Sequence, residues 1–329
     1  MKEVLNRLIQ HQTLSKSEAK EILINIANGS YNTSQIASFL TVYMMRSVAV
    51  EELEGFRDAL LELCLNVDLS MYNPIDLCGT GGDGKDTFNI STLASFVTAG
   101  AGVKVAKHGN YGVSSSCGSS NVLEYLGIKF SNDKDYLERA IDKVGICILH
   151  APLFHPAMKN VAPIRRDLGV KTFFNMLGPM VNPAFPPNQM VGVFNLELAR
   201  LYSYLYQKTD KNFSIVHALD GYDEISLTGN AKVISRGDEK IINATNFDLN
   251  PLQMSQIAGG NTIENAAKIF LSVLENQSTD AQKQVVCANA ALAIKTVKNI
   301  DLKEAYQQAI ESIESGNALA VFNKLQELN

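Results

Sequence analysis

The stretch Cys78-Gly79-Thr80-Gly81-Gly82-Asp83-Gly84-Lys85-Asp86-Thr87-Phe88-Asn89-Ile90-Ser91-Thr92 has the residue types needed to hold an anion. The apolar run Pro74–Cys78 before it predicts a buried strand, and Leu93–Ala101 after it predicts a helix. Glycines at 79, 81, 82 and 84 let the backbone turn tightly and bring bare N–H groups to a ligand. Asn89, Ser91 and Thr92 stand where the helix starts and are N-capping types. A glycine loop running into a helix N-terminus favours negative charge, because unpaired N–H groups and the helix dipole act together. The chemistry implied is phosphate binding.

Gly79, Gly81 and Gly84 also match G-x-G-x-x-G, the dinucleotide fingerprint. That fold needs an acid at the end of its second strand. Here the second strand runs into Lys107 and His108, which argues against NAD and for more phosphate.

A second segment, Lys107-His108-Gly109-Asn110-Tyr111-Gly112-Val113-Ser114-Ser115 and on to Ser119-Ser120, follows that strand. It reads either as a surface turn or as a second cradle of N–H and hydroxyl donors opening on a cation. Two loops at the carboxyl ends of strands converge on one crevice in an open parallel sheet. Asp220-Gly221-Tyr222-Asp223-Glu224 follows another strand. Alone it would be a solvated acidic turn. Beside two phosphate cradles, Asp223 and Glu224 read as Mg²⁺ ligands, since Mg²⁺ takes one or two carboxylates plus ligand phosphates. Arg165-Arg166 is either a solvated pair or a bidentate carboxylate clamp. His150, His155 and His217 form no triad pattern and read as structural.

The elements that must position these groups fall into two sets. Residues 1–70 contain no convincing strand. Val4, Leu5, Leu8 and Ile9 share a helical face, and Ser15/Glu18 and Asn32/Gln35 are capping-box patterns before apolar runs. Leu53, Phe56, Leu60 and Leu63 mark a fourth helix. From residue 71 the pattern alternates. Strands are predicted at 74–78, 103–106, 146–150, 190–194, 213–219 and 232–235, with helices at 91–101, 134–144 and 196–208. The predicted class is α/β, a mainly parallel sheet flanked by helices in residues 71–329, with a smaller N-terminal all-helical domain in residues 1–70. Segment 155–188 holds Pro156, Pro163, Pro179, Pro183, Pro186 and Pro187, and reads as a passage between domains. After Gly259-Gly260 the chain returns to helix, with Asn261 or Thr262 as a cap.

The bulk numbers set the frame. The chain has 329 residues and a net charge of -5, so a general nucleic-acid binder is disfavoured. No apolar run reaches membrane-spanning length, and the amphipathic start Met1–Leu8 does not read as a signal peptide. Five cysteines without metal-ligand spacing are expected to be reduced core thiols, as in a cytoplasmic protein.

Taken together, G-T-G-G-D with N-I-S-T, K-H-G-N with V-S-S, H-P-A-M-K-N-V-A-P-I-R-R, N-M-L-G-P and D-G-Y-D-E resemble the anthranilate phosphoribosyltransferases in order and spacing. The resemblance spans almost the whole chain. It implies a helical domain that takes in part of 163–185 and forms a homodimer. It implies transfer of a phosphoribosyl group from 5-phosphoribosyl-1-pyrophosphate (PRPP) to anthranilate with two Mg²⁺ ions. On this chain it puts Gly79, Gly82, Asp83, Thr87, Asn89, Ile90, Ser91, Thr92, Lys107, His108, Gly109, Asn110, Tyr111, Gly112, Val113, Ser114, Ser115 and Ser119 at PRPP. Gly79, His108, Asn110 and Arg165 fall to anthranilate, and Ser91, Asp223 and Glu224 to metal. Lys107, His108 and Arg165 carry the catalytic expectations: charge stabilisation, late proton acceptance and carboxylate orientation. The chain departs from the family pattern at Tyr111-Gly112, where Arg and a small residue are common, and at Ser120-Asn121 within what is often G-S-A-D. Rival readings are a pyrimidine nucleoside phosphorylase of the same architecture, a nucleic-acid-binding sibling and a dinucleotide dehydrogenase.

Overall fold

The computed structural model describes residues 1–112, 117–260 and 262–328. Val113, Ser114 and Ser115, named for the second cradle, and Asn261, named as a cap, lie outside the described residues. The chain divides into two compact units, one of residues 1–67 and 151–183, the other of residues 68–150 and 184–329.

The first unit is helical: Lys2–Ile9, Lys16–Ala27, Thr33–Met45 and Val50–Leu63, with the shorter Ala151–Phe154, Ala162–Leu168 and Phe174–Leu177. Ser15 and Asn32 make the capping boxes expected from their spacing, each accepting from the third helical N–H. The bundle core is aromatic. Phe39, Tyr43 and Phe56 are joined by Phe173 from the second segment, which stacks on Phe56 at 4.4 Å. A four-helix segment that would otherwise expose this cluster is thus completed by residues of the proline-rich stretch. Burying each such ring contributes about 2 kcal/mol. Glu52 is fully buried in the same unit and is satisfied by Leu14 N, Ala49 N, Tyr43 Oη and Arg46.

The second unit is built on a seven-stranded sheet: β1 Ile75–Gly79, β2 Val105–Gly109, β3 Ile146–His150, β4 Asn188–Gly192, β5 Asn212–Ala218, β6 Ala231–Ser235 and β7 Asp238–Ile242. The order is β3-β2-β1-β4-β5-β6-β7. The first five strands are parallel, and β6 and β7 are added antiparallel. β7 was not expected. Its Asp238-Glu239-Lys240 reads as polar surface, which is how an edge strand is protected. Gly237 at φ 71° supplies the tight turn that joins it to β6. Successive strands run one way from β1 to β3 and the other way from β1 through β4 to β5, so the reversal lies at β1. A crevice opens there, beyond the carboxyl ends of the strands. Helix Ile90–Gly100 is buried on nearly every side, and its Phe96 packs edge-on against Phe270 and Phe322 of two C-terminal helices. No helix of the described residues is long and apolar enough to cross a membrane.

Candidate active site

β1 ends at Gly79, and the chain turns through Gly81, Gly82 and Gly84 at φ 62°, 76° and 72°. That left-handed region is open to glycine and strained for other residues. The loop then enters helix Ile90–Gly100. Asn89 occupies the N-cap but makes no side-chain capping bond. Its amide instead donates to Cys117 O at 3.0 Å, tying the first loop to the second. The expected cap is therefore a strut between loops.

Asp223 reaches this turn from the segment after β5. Its Oδ2 accepts from Gly81 N at 2.7 Å. The approach depends on two glycines. A Cβ at Gly79 would stand 2.3 Å from Asp223 Oδ2, and one at Gly192 would stand 1.4 Å from Asp223 O. Ser91, Asp223 and Glu224 line one small cavity, with Gly192 and Asn289 beside them. The structure thus brings together the three residues named as metal ligands.

The electrostatics of the cavity favour a cation. Burial, and then the nearby Asp83, push the Asp223 carboxyl up to about 6. Burial and the neighbouring Asp223 push Glu224 well above the usual carboxylate range, opposed by a hydrogen bond from Thr87. Glu224 is 7% exposed, and its Oε1 has no hydrogen-bond partner among the described residues. An orphaned buried carboxylate oxygen is costly unless something fills its lone pairs. Among the described residues no group of three or more His, Cys, Asp or Glu forms a metal cage. Two carboxylates and a hydroxyl that rely on a ligand's oxygens to complete the shell suit Mg²⁺. The donor set passes the chemical test for that ion.

On the second loop, His108 N donates to Asp76 Oδ1 at 3.0 Å, Tyr111 N to Asn110 Oδ1 at 2.8 Å, and Ser119 Oγ to Asn110 O at 3.2 Å. Lys107 departs from expectation. Its ammonium is buried and donates to Leu77 O at 2.6 Å inside the sheet. Burial lowers its pKa, and Asp76 opposes the shift. Its position on a covered strand next to the Asp76 carboxylate holds the ammonium against the β1 backbone.

Arg165 belongs to the helical unit, the remaining site residues to the other. Its guanidinium donates to Asn175 Oδ1 at 3.2 Å and lies 5.2 Å from the Phe174 ring centroid. Thr172 N bonds the same Asn175 oxygen, which fixes the pair locally.

Three site residues escaped the sequence reading. Gly192 closes β4 and makes room for Asp223. Asn289 lies far along the chain on helix Asp280–Lys298, and it accepts from Ile225 N at 3.0 Å and donates to Ile225 O at 2.8 Å. It pins the backbone next to Glu224. Gly259 N bonds Asp86 O at 2.6 Å, and Thr87 pairs with Ala258 in an isolated bridge. The Gly259-Gly260 dipeptide was visible, but not its partner.

Two family models match the chain. A glycosyl transferase family helical bundle domain covers residues 2–64, and a glycosyl transferase family a/b domain covers residues 71–319. The chain is 66% identical over its full length to the anthranilate phosphoribosyltransferase of Christiangramia forsetii, covering 99% of that protein. It is 67% identical to that of Flavobacterium psychrophilum, with both chains fully covered. Its structure is similar to the crystal structure of the Thermus thermophilus anthranilate phosphoribosyltransferase, with a TM-score of 0.92 and 30% identity over 98% of each chain. It is also similar to the Saccharomyces cerevisiae enzyme in complex with PRPP and Mg, with a TM-score of 0.90 and 27% identity over 98% of this chain and 96% of that one.

Proposed function

This chain belongs to the anthranilate phosphoribosyltransferase family, a glycosyltransferase family, and from that premise we propose that it transfers the 5-phosphoribosyl group of PRPP to the amine of anthranilate, in tryptophan biosynthesis. The observation that carries the reading is the cavity shared by Ser91, Asp223 and Glu224 at the β1 end, with the Glu224 oxygen that no group among the described residues satisfies.

The reaction breaks the C1–O bond to pyrophosphate and forms a C1–N bond to the aromatic amine. Positive charge grows on the ribose ring while negative charge grows on the leaving group. Ser91, Asp223 and Glu224 are the residues that would hold Mg²⁺, two ions in this reading, and the metal supplies charge neutralisation of the pyrophosphate. The N-terminus of helix Ile90–Gly100 adds fixed positive potential where the leaving group's charge develops. Gly79, Gly82, Asp83, Thr87 and the segment from His108 to Gly112 with Ser119 form the rest of the donor cradle. Lys107 holds the β1 end from inside the sheet.

The acceptor needs orientation more than activation. An aromatic amine is neutral near pH 7 and attacks with its own lone pair, so no general base is assigned. The proton leaves after the C–N bond forms, and in this reading His108 would accept it late. Arg165 holds the acceptor's carboxylate. Guanidinium offers five N–H donors, and the Asn175 bond uses one of them. Homodimerisation and a cytoplasmic location belong to the same reading.

The test is equilibrium binding of PRPP across a Mg²⁺ titration. Mg²⁺ should tighten binding to the wild-type protein and leave Asp223→Asn/Glu224→Gln unaffected. Equal Mg²⁺ linkage in both proteins would remove the acids as ligands.

A further inference from the structure

We propose that Asn175 is a positioning residue for the acceptor: its neutral amide oxygen holds the Arg165 guanidinium in place without cancelling the positive charge that is to meet the acceptor's carboxylate. The inference rests on the functional reading above and deepens it.

All the residues involved belong to the helical unit. Asn175 is fixed by its own neighbour. Its N–H donates to Thr172 O at 3.0 Å, and its Oδ1 accepts from Thr172 N at 3.1 Å. These reciprocal bonds lock the side chain at the start of the short helix Phe174–Leu177. The same oxygen accepts from Arg165 Nη2 at 3.2 Å, so its two lone pairs serve two donors. The guanidinium also lies 5.2 Å from the Phe174 ring centroid. Phe174 stacks on the buried Phe173 at 4.6 Å, and Phe173 on Phe56 at 4.4 Å, which ties this support to the bundle core.

Both supports are electrically neutral. Arg46 of the same unit shows the usual alternative, a guanidinium paired with the buried Glu52 carboxylate. Among the described residues no Asp or Glu pairs with Arg165. Burial lowers its pKa, and no acid opposes the shift. The adjacent Arg166 is exposed, whereas Arg165 is partly buried. A guanidinium stays protonated in either setting. One that is oriented and partly buried without a counter-charge is completed by an incoming carboxylate. An acid at position 175 would satisfy the same donors but supply that counter-charge from within.

Two-substrate kinetics of Asn175→Asp and Asn175→Ala, with thermal unfolding of each, separate this role from a structural one. Asn175→Asp keeps an acceptor oxygen for both Thr172 N and Arg165, so its Tm should not fall. It should nevertheless raise KM for anthranilate by about ten-fold, the scale of one charge-assisted hydrogen bond, with KM for PRPP unchanged. Asn175→Ala should raise KM for anthranilate and also lower Tm. If Asn175→Ala does not fold, Asn175→Asp decides by itself, because a merely structural role would be rescued by the acid. A wild-type KM for anthranilate in Asn175→Asp, or equal rises in both KM values, would overturn the proposal and leave the functional reading standing. Folded wild-type protein that does not turn over anthranilate with PRPP and Mg²⁺ would overturn the functional reading, and the proposal with it, whatever the variants do.

Discussion

Gly192→Ala should disable the site without replacing any residue proposed to bind ligand. Gly192 ends β4, and a methyl group there would lie 1.4 Å from Asp223 O. An ordinary contact needs about 3.5 Å, so the Asp223 backbone must retreat by about 2 Å. The obstacle is main chain on both sides, which no rotamer change relieves. Asp223 Oδ2 would then lose Gly81 N, now at 2.7 Å, and the Asp223–Glu224 pair would no longer face Ser91. Misplacement of a catalytic group by about 1 Å can cost about 100-fold in rate, so a loss of at least that size in kcat/KM is expected. The assay is steady-state turnover across a Mg²⁺ series, with thermal unfolding as the control for folding. The variant should need far more Mg²⁺ at any PRPP concentration. A folded Gly192→Ala protein with wild-type turnover and Mg²⁺ response would refute the claim that Asp223 works from this position.

Three further outcomes follow from the geometry. Arg165→Ala should raise KM for anthranilate far more than for PRPP in two-substrate kinetics; equal effects would end its carboxylate role. Asn289→Ala strands a buried N–H and C=O on Ile225, which should cost about 3 kcal/mol and lower Tm by roughly 5–10 °C in scanning calorimetry, with weaker Mg²⁺ response. An unchanged Tm would contradict the pinning role. Burial pushes His155 down from 6.5 to about 4, while its Nε2–H donates to Val181 O at 3.0 Å. The unfolded chain takes up this proton near 6.5 and the folded chain only near 4, so the His155 contribution is level above pH 6.5 and lost as pH falls through that window, by about 3 kcal/mol. Urea unfolding of wild type and His155→Gln at pH 7 and pH 4.5 should show the larger fall in wild type; parallel falls would refute the assignment.

What the sequence made legible was local. Ser15/Glu18 and Asn32/Gln35 announce their helices because capping chemistry acts within four residues. The glycine turn and β3 were readable for the same reason: both are written in contiguous residues. The Asp223-Glu224 pair was conspicuous as acids after a strand, and the fold sets it with Ser91 on one small cavity. What escaped depends on distant chain. Nothing near Gly192 says that Asp223 O will fill the space where its Cβ would be. Nothing near Asn289 says that Ile225 will need both of its backbone groups satisfied. Nothing near Lys107 says that its ammonium will donate to Leu77 O of the neighbouring strand, beside Asp76. Asn89 looked like a cap, and its amide crosses to Cys117 because the second loop lies within reach.

The most direct measurement follows anthranilate fluorescence in the presence of purified protein, PRPP and Mg²⁺, with EDTA and with Asp223→Asn/Glu224→Gln as the two controls. The account predicts loss of fluorescence that requires protein, PRPP and Mg²⁺ together, and that stops in both controls. Undiminished fluorescence with folded wild-type protein, or loss that continues in EDTA or in the double variant, would contradict it.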